Sequence, residues 1–273
     1  MTGGGALSLL LVAVAAAGGC ARNSSGPGAG PPKVVEELRV KVVRALPHDR
    51  GAFTQGLEFF EGKLYESTGL RGQSSLRRVD PETGRVETQV ALEAPLFAEG
   101  LTRVGGFLVQ ITWQEGRALV WNLSSFKKER EHTYDGEGWG LCHDGKRLVM
   151  SDGSDRLVFR DPQTFAKTGE VAVRRNGAPV TYLNELECAD GLVYANVWQQ
   201  SAIARIDPAT GEVTGWIDAS GLLTREEMAG VDVLNGIAHI PGSRRFMITG
   251  KLWPRIFEVE LVSTGSPPAS GTH

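Results

Sequence analysis

The sequence predicts an all-β protein, a five-bladed β-propeller whose last blade is closed by a strand from the N-terminal side. Three observations carry this reading. A short motif built on Gly-Leu or its equivalent recurs five times at intervals of 44, 40, 45 and 51 residues. Each recurrence is followed by further short apolar runs joined by Asp, Gly and Pro turns, the pattern of a four-stranded repeat unit. The fifth unit stops after its third strand, and a spare alternating strand precedes the first unit.

The elements follow in order. "ELRVKVVRAL" (37–46) alternates as a strand. The first strands of the units begin with "QGLEF" at Gln55, "EGLT" at Glu99, "WGLCHDG" at Trp139, "NELECADG" at Asn184 and "NGIAHIPG" at Asn235. Second strands are "LYESTG", "LVQITW", "LVMSDG", "VYANVW" and "FMITGK". Third strands are "LRRVD", "ALVWN", "RLVFRD", "IARID" and "IFEVEL", three of them leading into "DPETG", "DPQTF" and "DPATG" turns. Fourth strands such as "RVETQVAL" and "EVTGWIDAS" complete a unit. The fifth unit ends at "IFEVELV", so the strand at 37–46 is expected to serve as its outer strand, which removes an exposed edge. One segment reads as helical, "LLTREEMAG" (222–230), in the connection into the fifth unit.

Composition is ordinary for a globular domain, with 41% hydrophobic and 22% charged residues. The net charge of −3, with no run of one sign, gives no nucleic-acid surface. Residues 1–20 form an uncharged, apolar export segment of signal-peptide length. Small residues before Cys20 resemble a bacterial lipoprotein cleavage site, which would anchor the chain to a membrane by lipid; the alternative is a plain signal peptide with an incidental cysteine. Residues 21–33 read as a flexible Gly/Pro/Ser linker, 34–263 as the propeller and 264–273 as a disordered tail. The expected location is periplasmic or cell-surface, and the expected state a monomer. Cys142 and Cys188 read as two small buried residues, with a disulfide between them as the alternative. They form no zinc-type spacing.

The residue before each Gly-Leu is Gln55, Glu99, Trp139, Asn184 or Asn235. Innermost propeller strands line the central axis, so these five are expected around one mouth of the channel. The antiparallel second strand returns to the same rim. Fourteen residues on, or sixteen in the fifth unit, lies a second ring of Gly69, Trp113, Gly153, Trp198 and Lys251. The units agree on the flanking scaffold and differ at the rings, as a ligand pocket requires. In a purely structural reading the tryptophans would pack between blades and Glu99 would pair with Lys251. Asn184 and Glu185 are placed at the rim, with Glu58 and Glu187 further in; these carboxylates leave a structural cation in the channel open. His48, His132, His143 and His239 share no repeat position and read as incidental. The glycine-rich "DGEGWG" (135–140) precedes no helix and makes a poor phosphate cradle.

The motifs "FTQGLEF", "LYESTG", "GQSSLRRVD", "FAEGLT", "QITWQEG", "YDGEGWGL", "MSDGS", "LNELE", "YANVW", "IARIDPATG", "VLNGIA" and "TGKLWP" closely resemble the plant-type glutaminyl cyclase family over about 50–260. The resemblance implies a five-bladed propeller that cyclises N-terminal glutamine of peptides or proteins to pyroglutamate and releases ammonia, without zinc or another cofactor. It implies Phe53, Gln55, Glu99, Trp113, Trp139, Asn184, Trp198 and Lys251 as functional residues; Asn235 comes from the ring alone. The reading assigns Glu99, Lys251 and Asn184 to catalysis and Phe53, Gln55, Trp113, Trp139, Trp198 and Asn235 to substrate. Two other classes stay open at this point: a non-catalytic propeller binding module, and a metal-dependent propeller lactonase or hydrolase.

Overall fold

The computed structural model describes residues 1–2 and 34–265. The expectations about the export segment, Cys20, the linker and the end of the tail therefore fall outside the described residues. Every regular element among the described residues is a strand. β1 (Glu36–Pro47) comes first. A first sheet follows from β2 (Thr54–Phe60), β3 (Lys63–Thr68), β4 (Ser75–Asp80) and β5 (Arg85–Ala91). A second is built from β6 (Ala98–Val104), β7 (Phe107–Thr112), β8 (Arg117–Asn122) and β9 (Lys128–Thr133). The third comprises β10 (Leu141–His143), β11 (Leu148–Met150), β12 (Arg156–Arg160) and β13 (Lys167–Ala172). A small hairpin, β14 (Arg174–Arg175) and β15 (Ala178–Pro179), leads on to the fourth set. That set is β16 (Leu183–Ala189), β17 (Leu192–Val197), β18 (Ala202–Ile206) and β19 (Val213–Asp218). The chain closes with β20 (Leu234–His239), β21 (Arg245–Gly250) and β22 (Arg255–Ser263).

Each set is an antiparallel meander, because two- to six-residue Asp/Gly turns allow nothing longer. β1 pairs antiparallel with β22 from Leu38↔Ser263 to Pro47↔Arg255, with a bulge between Val42 and Arg44. Its first residues also pair parallel with β19, Glu36 opposite Gly215. The spare N-terminal strand thus lies between the fourth and fifth sets and joins them into one eight-stranded sheet. The first strands adjoin in order, β2 to β6, β6 to β10, β10 to β16, β16 to β20 and β20 back to β2.

The core sits between neighbouring sheets. Leu76 and Tyr65 meet Leu101, Leu108 and Leu119 between the first two. Val109, Ile111 and Val120 meet Leu141, Leu148 and Met150 between the next two. Val149 and Leu157 meet Leu186, Val193 and Ala204; Ile203 and Ile217 meet Ile237, Phe246 and Ile248; Leu57, Leu64 and Val79 meet Met247 and Ile256. Each fully buried aliphatic side chain contributes about 1.5–3 kcal/mol, and no sheet could bury these residues alone.

The close approach of the first strands explains the repeated glycine. A Cβ on Gly56 would lie 2.5 Å from the Leu101 nitrogen, and one on Gly100 2.5 Å from the Leu141 nitrogen. The fourth unit has Glu185 at this position. It is not at the rim as expected. Its Oε1 accepts from Leu57 N at 3.2 Å and its Oε2 from Ile237 N at 2.8 Å, so it ties β16 to β2 and β20 from inside.

Three other expectations are corrected. Residues 222–230 are a series of turns, not a helix. Thr224 and Glu227 cap each other (Thr224 N to Glu227 Oε2, 3.1 Å; Glu227 N to Thr224 Oγ1, 3.3 Å), but Gly230 ends the segment at φ 77° after a single turn. One turn bears the nucleation cost of a helix without the propagation that offsets it. Cys142 and Cys188 are joined by a disulfide, with Cα atoms 5.4 Å apart, bridging β10 and β16 of adjacent sheets. His48 is not incidental. It is buried between β1 and β2, with Nε2 2.9 Å from Glu66 Oε1 and Nδ1 2.8 Å from Trp253 O.

Candidate active site

At one end of the ring of first strands is a cavity of about 520 Å³. Its lining includes Phe53, Gln55, Glu99, Trp113, Trp139, Asn184, Trp198 and Lys251. Eight of the nine residues expected to act on substrate therefore share one pocket. The second strands bring their ends back to this rim as the alternation requires: Thr54 pairs with Thr68, Ala98 with Thr112, Leu183 with Val197 and Leu234 with Gly250.

Asn235 is the exception. It stands behind Gln55, with Nδ2 donating to Gln55 Oε1 at 3.1 Å and to Thr54 O at 3.0 Å. Gln55 in turn donates from Nε2 to Glu99 Oε1 at 3.0 Å. Asn235 thus fixes which way the Gln55 amide faces, and Gln55 presents a donor to Glu99.

Glu99 is 6% exposed, and burial holds its carboxyl well above the usual carboxylate range. The Lys251 charge opposes that shift, while Glu137 and Glu115 add to it. Lys251 is itself buried, and burial lowers its pKa against the pull of Glu99 and Asp232. No ion pair joins the two; Lys251 acts on Glu99 through space, and its ammonium lies 4.8 Å from the centroid of the Phe53 ring, a cation–π contact. Asn184 is 2% exposed, and among the described residues nothing hydrogen-bonds its side-chain amide. The pocket therefore holds a carboxyl whose pKa burial has raised, an ammonium and a free amide.

The walls are aromatic. Phe53 meets Phe97 edge-on at 6.2 Å, Phe97 meets Trp113 at 5.6 Å, Trp139 meets Trp198 at 5.7 Å, and Tyr182 meets Trp198 at 5.7 Å. The second-ring glycines make room for these rings. A Cβ on Gly69 would sit 2.5 Å from Phe97 Cε1, and one on Gly153 2.7 Å from Trp139 Cη2.

Five lining residues were not anticipated: Phe97, Tyr182, Gln199, Asp232 and Val233. A signal for three of them was present. The position two residues before each first-ring residue is Phe53, Phe97, Glu137, Tyr182 and Val233. Side chains alternate along a strand, so residues i and i−2 face the same way. In four units the carbonyl of this residue accepts from the second-ring N–H: Gly69 to Phe53, Trp113 to Phe97, Trp198 to Tyr182 and Lys251 to Val233, at 2.8–3.0 Å. Gln199 and Asp232 flank ring members and had no such signal.

The far mouth of the channel is a separate cleft of about 250 Å³ with Glu58, Glu187, His143 and His239. Glu58 Oε2 accepts from Thr102 Oγ1 at 3.2 Å and Arg103 N at 2.9 Å. Among the described residues no group of three or more His, Cys, Asp or Glu side chains is arranged to hold a metal ion.

Comparison with known proteins gives the family. The family model described as glutamine cyclotransferase matches residues 10–261. A glutaminyl-peptide cyclotransferase of Arabidopsis thaliana is 45% identical over 229 residues, covering 81% of this chain and 71% of that protein. The crystal structure of Myxococcus xanthus glutaminyl cyclase is similar with a TM-score of 0.77 and 44% identity, covering 85% of this chain and 100% of that one. With the family model spanning nearly the whole sequence, and a solved relative matched along its entire length, this chain belongs to the glutamine cyclotransferase family.

Proposed function

We propose that the protein is a glutaminyl-peptide cyclotransferase and that the aromatic pocket is its active site. The observation that carries the site is Glu99, buried in the pocket wall with a raised pKa and hydrogen-bonded to Gln55. The substrate is a peptide or protein with a free N-terminal glutamine. Its α-amine attacks its own side-chain amide carbon. A C–N bond to the α-nitrogen forms, the bond to the amide nitrogen breaks, and ammonia leaves.

Glu99 takes the proton lost by the attacking amine and returns it to the departing nitrogen. A carboxyl whose pKa is raised above the ordinary carboxylate range suits both steps, because it is a stronger base toward the amine and still an acid toward the leaving nitrogen. Lys251 and the free Asn184 amide donate to the oxyanion that develops on the amide oxygen. Gln55 holds the amine or the first peptide carbonyl. Phe53, Trp113, Trp139 and Trp198 enclose the glutamine stem and keep it folded back, which supplies orientation for an attack that is already intramolecular. Asn235 supports substrate through Gln55.

The same reading takes the fold as a five-bladed propeller closed by β1; the supporting observations are the cyclic order of first strands and the five inter-sheet cores. It takes the chain as exported, which the disulfide between Cys142 and Cys188 supports, since such bonds persist in oxidising compartments.

The test is ammonia release from a peptide with N-terminal glutamine. Wild type is expected to turn it over, and Glu99→Gln to lose roughly 10²–10⁴ in rate with the fold intact. A Glu99→Gln enzyme keeping more than about a tenth of the parental rate would remove Glu99 from proton transfer, since general acid–base catalysis contributes at least ~10²-fold.

A further inference from the structure

The stretch "DGEGWG" (135–140) has a role that its composition concealed. In the ring of positions two before each first-ring residue, four are Phe53, Phe97, Tyr182 and Val233, and the third unit has Glu137. The third unit is also irregular. Its first strand is only three residues long, and residues 135–140 are loop rather than strand. The second-ring N–H of Gly153 turns instead to Leu183 O at 3.2 Å. The Glu137 side chain thereby turns toward the pocket tryptophans. Its Oε2 accepts from Trp113 Nε1 at 2.8 Å and from Trp139 Nε1 at 2.9 Å. Its Oε1 accepts from Gln114 Nε2 at 3.0 Å.

We propose that Glu137 is the positioning residue of the substrate pocket, one carboxylate holding the indoles of Trp113 and Trp139 in the orientation that encloses the glutamine side chain. This rests on the reading of the pocket as the active site. The two tryptophans come from different sheets, Trp113 after β7 and Trp139 before β10. Nothing in the repeat itself fixes their mutual angle. A shared acceptor does, because each indole N–H must point at the same oxygen.

The loop is built for this. Gly138 N donates to Trp113 O at 2.8 Å, which ties the Glu137 loop to the Trp113 backbone. A Cβ on Gly138 would run into the Tyr134 hydroxyl, so the loop can lie against β7 only with glycine there. Gly136 turns the chain at φ 85°. Burial pushes the Glu137 carboxyl up, but the donors from Gln114, Trp139 and Trp113 outweigh it and hold it below the usual carboxylate range. It therefore stays ionised and acts only as an acceptor. A second brace works on the same wall. Arg71 lies 5.5 Å over the Trp113 ring and pairs with Glu115 at 2.7 Å, and Glu115 also accepts from Phe97 N at 3.3 Å.

The test uses steady-state kinetics on a peptide with N-terminal glutamine. Walls that enclose the substrate stem contribute binding in ground and transition states alike, which is read in KM, and their part in orientation is read as a smaller change in kcat. Glu137→Ala is expected to raise KM about tenfold or more, with a smaller change in kcat, because small misplacements of positioning groups cost up to roughly 10²-fold. Glu137→Gln keeps an oxygen that can accept both indoles, and is expected to recover most of the loss. Tryptophan emission of Glu137→Ala should shift, while the unfolding midpoint stays within a few degrees of the parent. Should Glu137→Ala fail to fold, Glu137→Leu, which keeps the volume, is read in its place. KM and kcat within about twofold of the parent, or a drop in the unfolding midpoint with no rise in KM, overturn the proposal. Trp113→Ala and Glu99→Gln measured alongside separate the two readings. If they lose activity and Glu137→Ala does not, only the positioning role falls; if they too keep parental kinetics, the pocket is not the active site.

Discussion

At the scale of single residues, the balance between Glu99 and Lys251 decides the chemistry. Both side chains are buried and neither is neutralised by a direct partner ion. For a carboxyl, burial favours the protonated form; for an ammonium, it favours the neutral one. Each charge favours the other's ionised form through space. Burial wins for both, raising Glu99 and lowering Lys251. This yields a pH prediction. The base form of Glu99 accepts the amine proton, so activity should fall on the acid side as Glu99 is protonated, at a pH well above the ordinary carboxylate value. Lys251 holds Glu99 lower than burial alone would. Removing it in Lys251→Met should therefore raise the Glu99 pKa further and move the acid limb of the residual kcat profile to higher pH. A limb that stays in place or moves to lower pH would show that Lys251 does not act on Glu99.

At the scale of elements, the site depends on how closely first strands approach. Glycine follows the ring residue in four units: at Gly56, Gly100 and Gly140 a neighbouring backbone occupies the space of a Cβ, and at Gly236 the backbone itself sits at φ 126°. Gly140 is the tightest case at the pocket. A Cβ there would run into the Asn184 carbonyl oxygen and lie 2.8 Å from Leu186 Cγ. Gly140→Ala must push β16 away from β10, and Asn184 with it. We expect it to destabilise by about 1–3 kcal/mol, the usual cost of overpacking, and to lower turnover because Asn184 shifts. Chemical denaturation and ammonia release on the same sample check both parts. Turnover unchanged with stability lost would mean that the Asn184 amide is not held by this contact. The period of the repeat made the inner two rings legible as residues facing one mouth. The ring two residues earlier obeys the same alternation, yet in the third unit the strand gives way to loop, and only the folded chain shows Glu137 turned onto the two indoles.

At the scale of the whole molecule, closure is the central problem. Five cores between sheets are continuous only if the last sheet meets the first, and β1 completes the outer edge of the last set against β22. The His48 that follows β1 is clasped by Glu66 of β3 and the carbonyl of Trp253, so the end of β1 is locked to β3 and to the turn between β21 and β22. The disulfide adds a second lock between β10 and β16 across a separation of 46 residues. Cross-linking a loop of that length restricts the unfolded chain by about 4 kcal/mol in the chain-entropy account. Cys142→Ser with Cys188→Ser should lower the unfolding midpoint by roughly 8–16 °C, at ~2–4 °C per kcal/mol for a domain this size. The pocket should keep its activity at low temperature, since neither cysteine lines it. A double variant as stable as the parent would show that the bond contributes nothing.

The sequence by itself determined the repeat, the strand order within each unit, the closing strand and the ring positions. Period, alternation and turn residues are local properties, and side-chain direction follows from them without knowledge of the neighbours. It also carried the family, because motifs in order survive where contacts are unseen. The tertiary structure alone decided what those positions meet. Asn235 lies behind Gln55 rather than in the pocket, Glu185 stands where the other units have glycine and accepts from the backbones of β2 and β20, Cys142 meets Cys188, and Glu137 joins two tryptophans from different sheets. Each of these depends on distance between segments far apart in the chain, and distance across sheets is set by how whole sheets pack, which no single window of sequence contains.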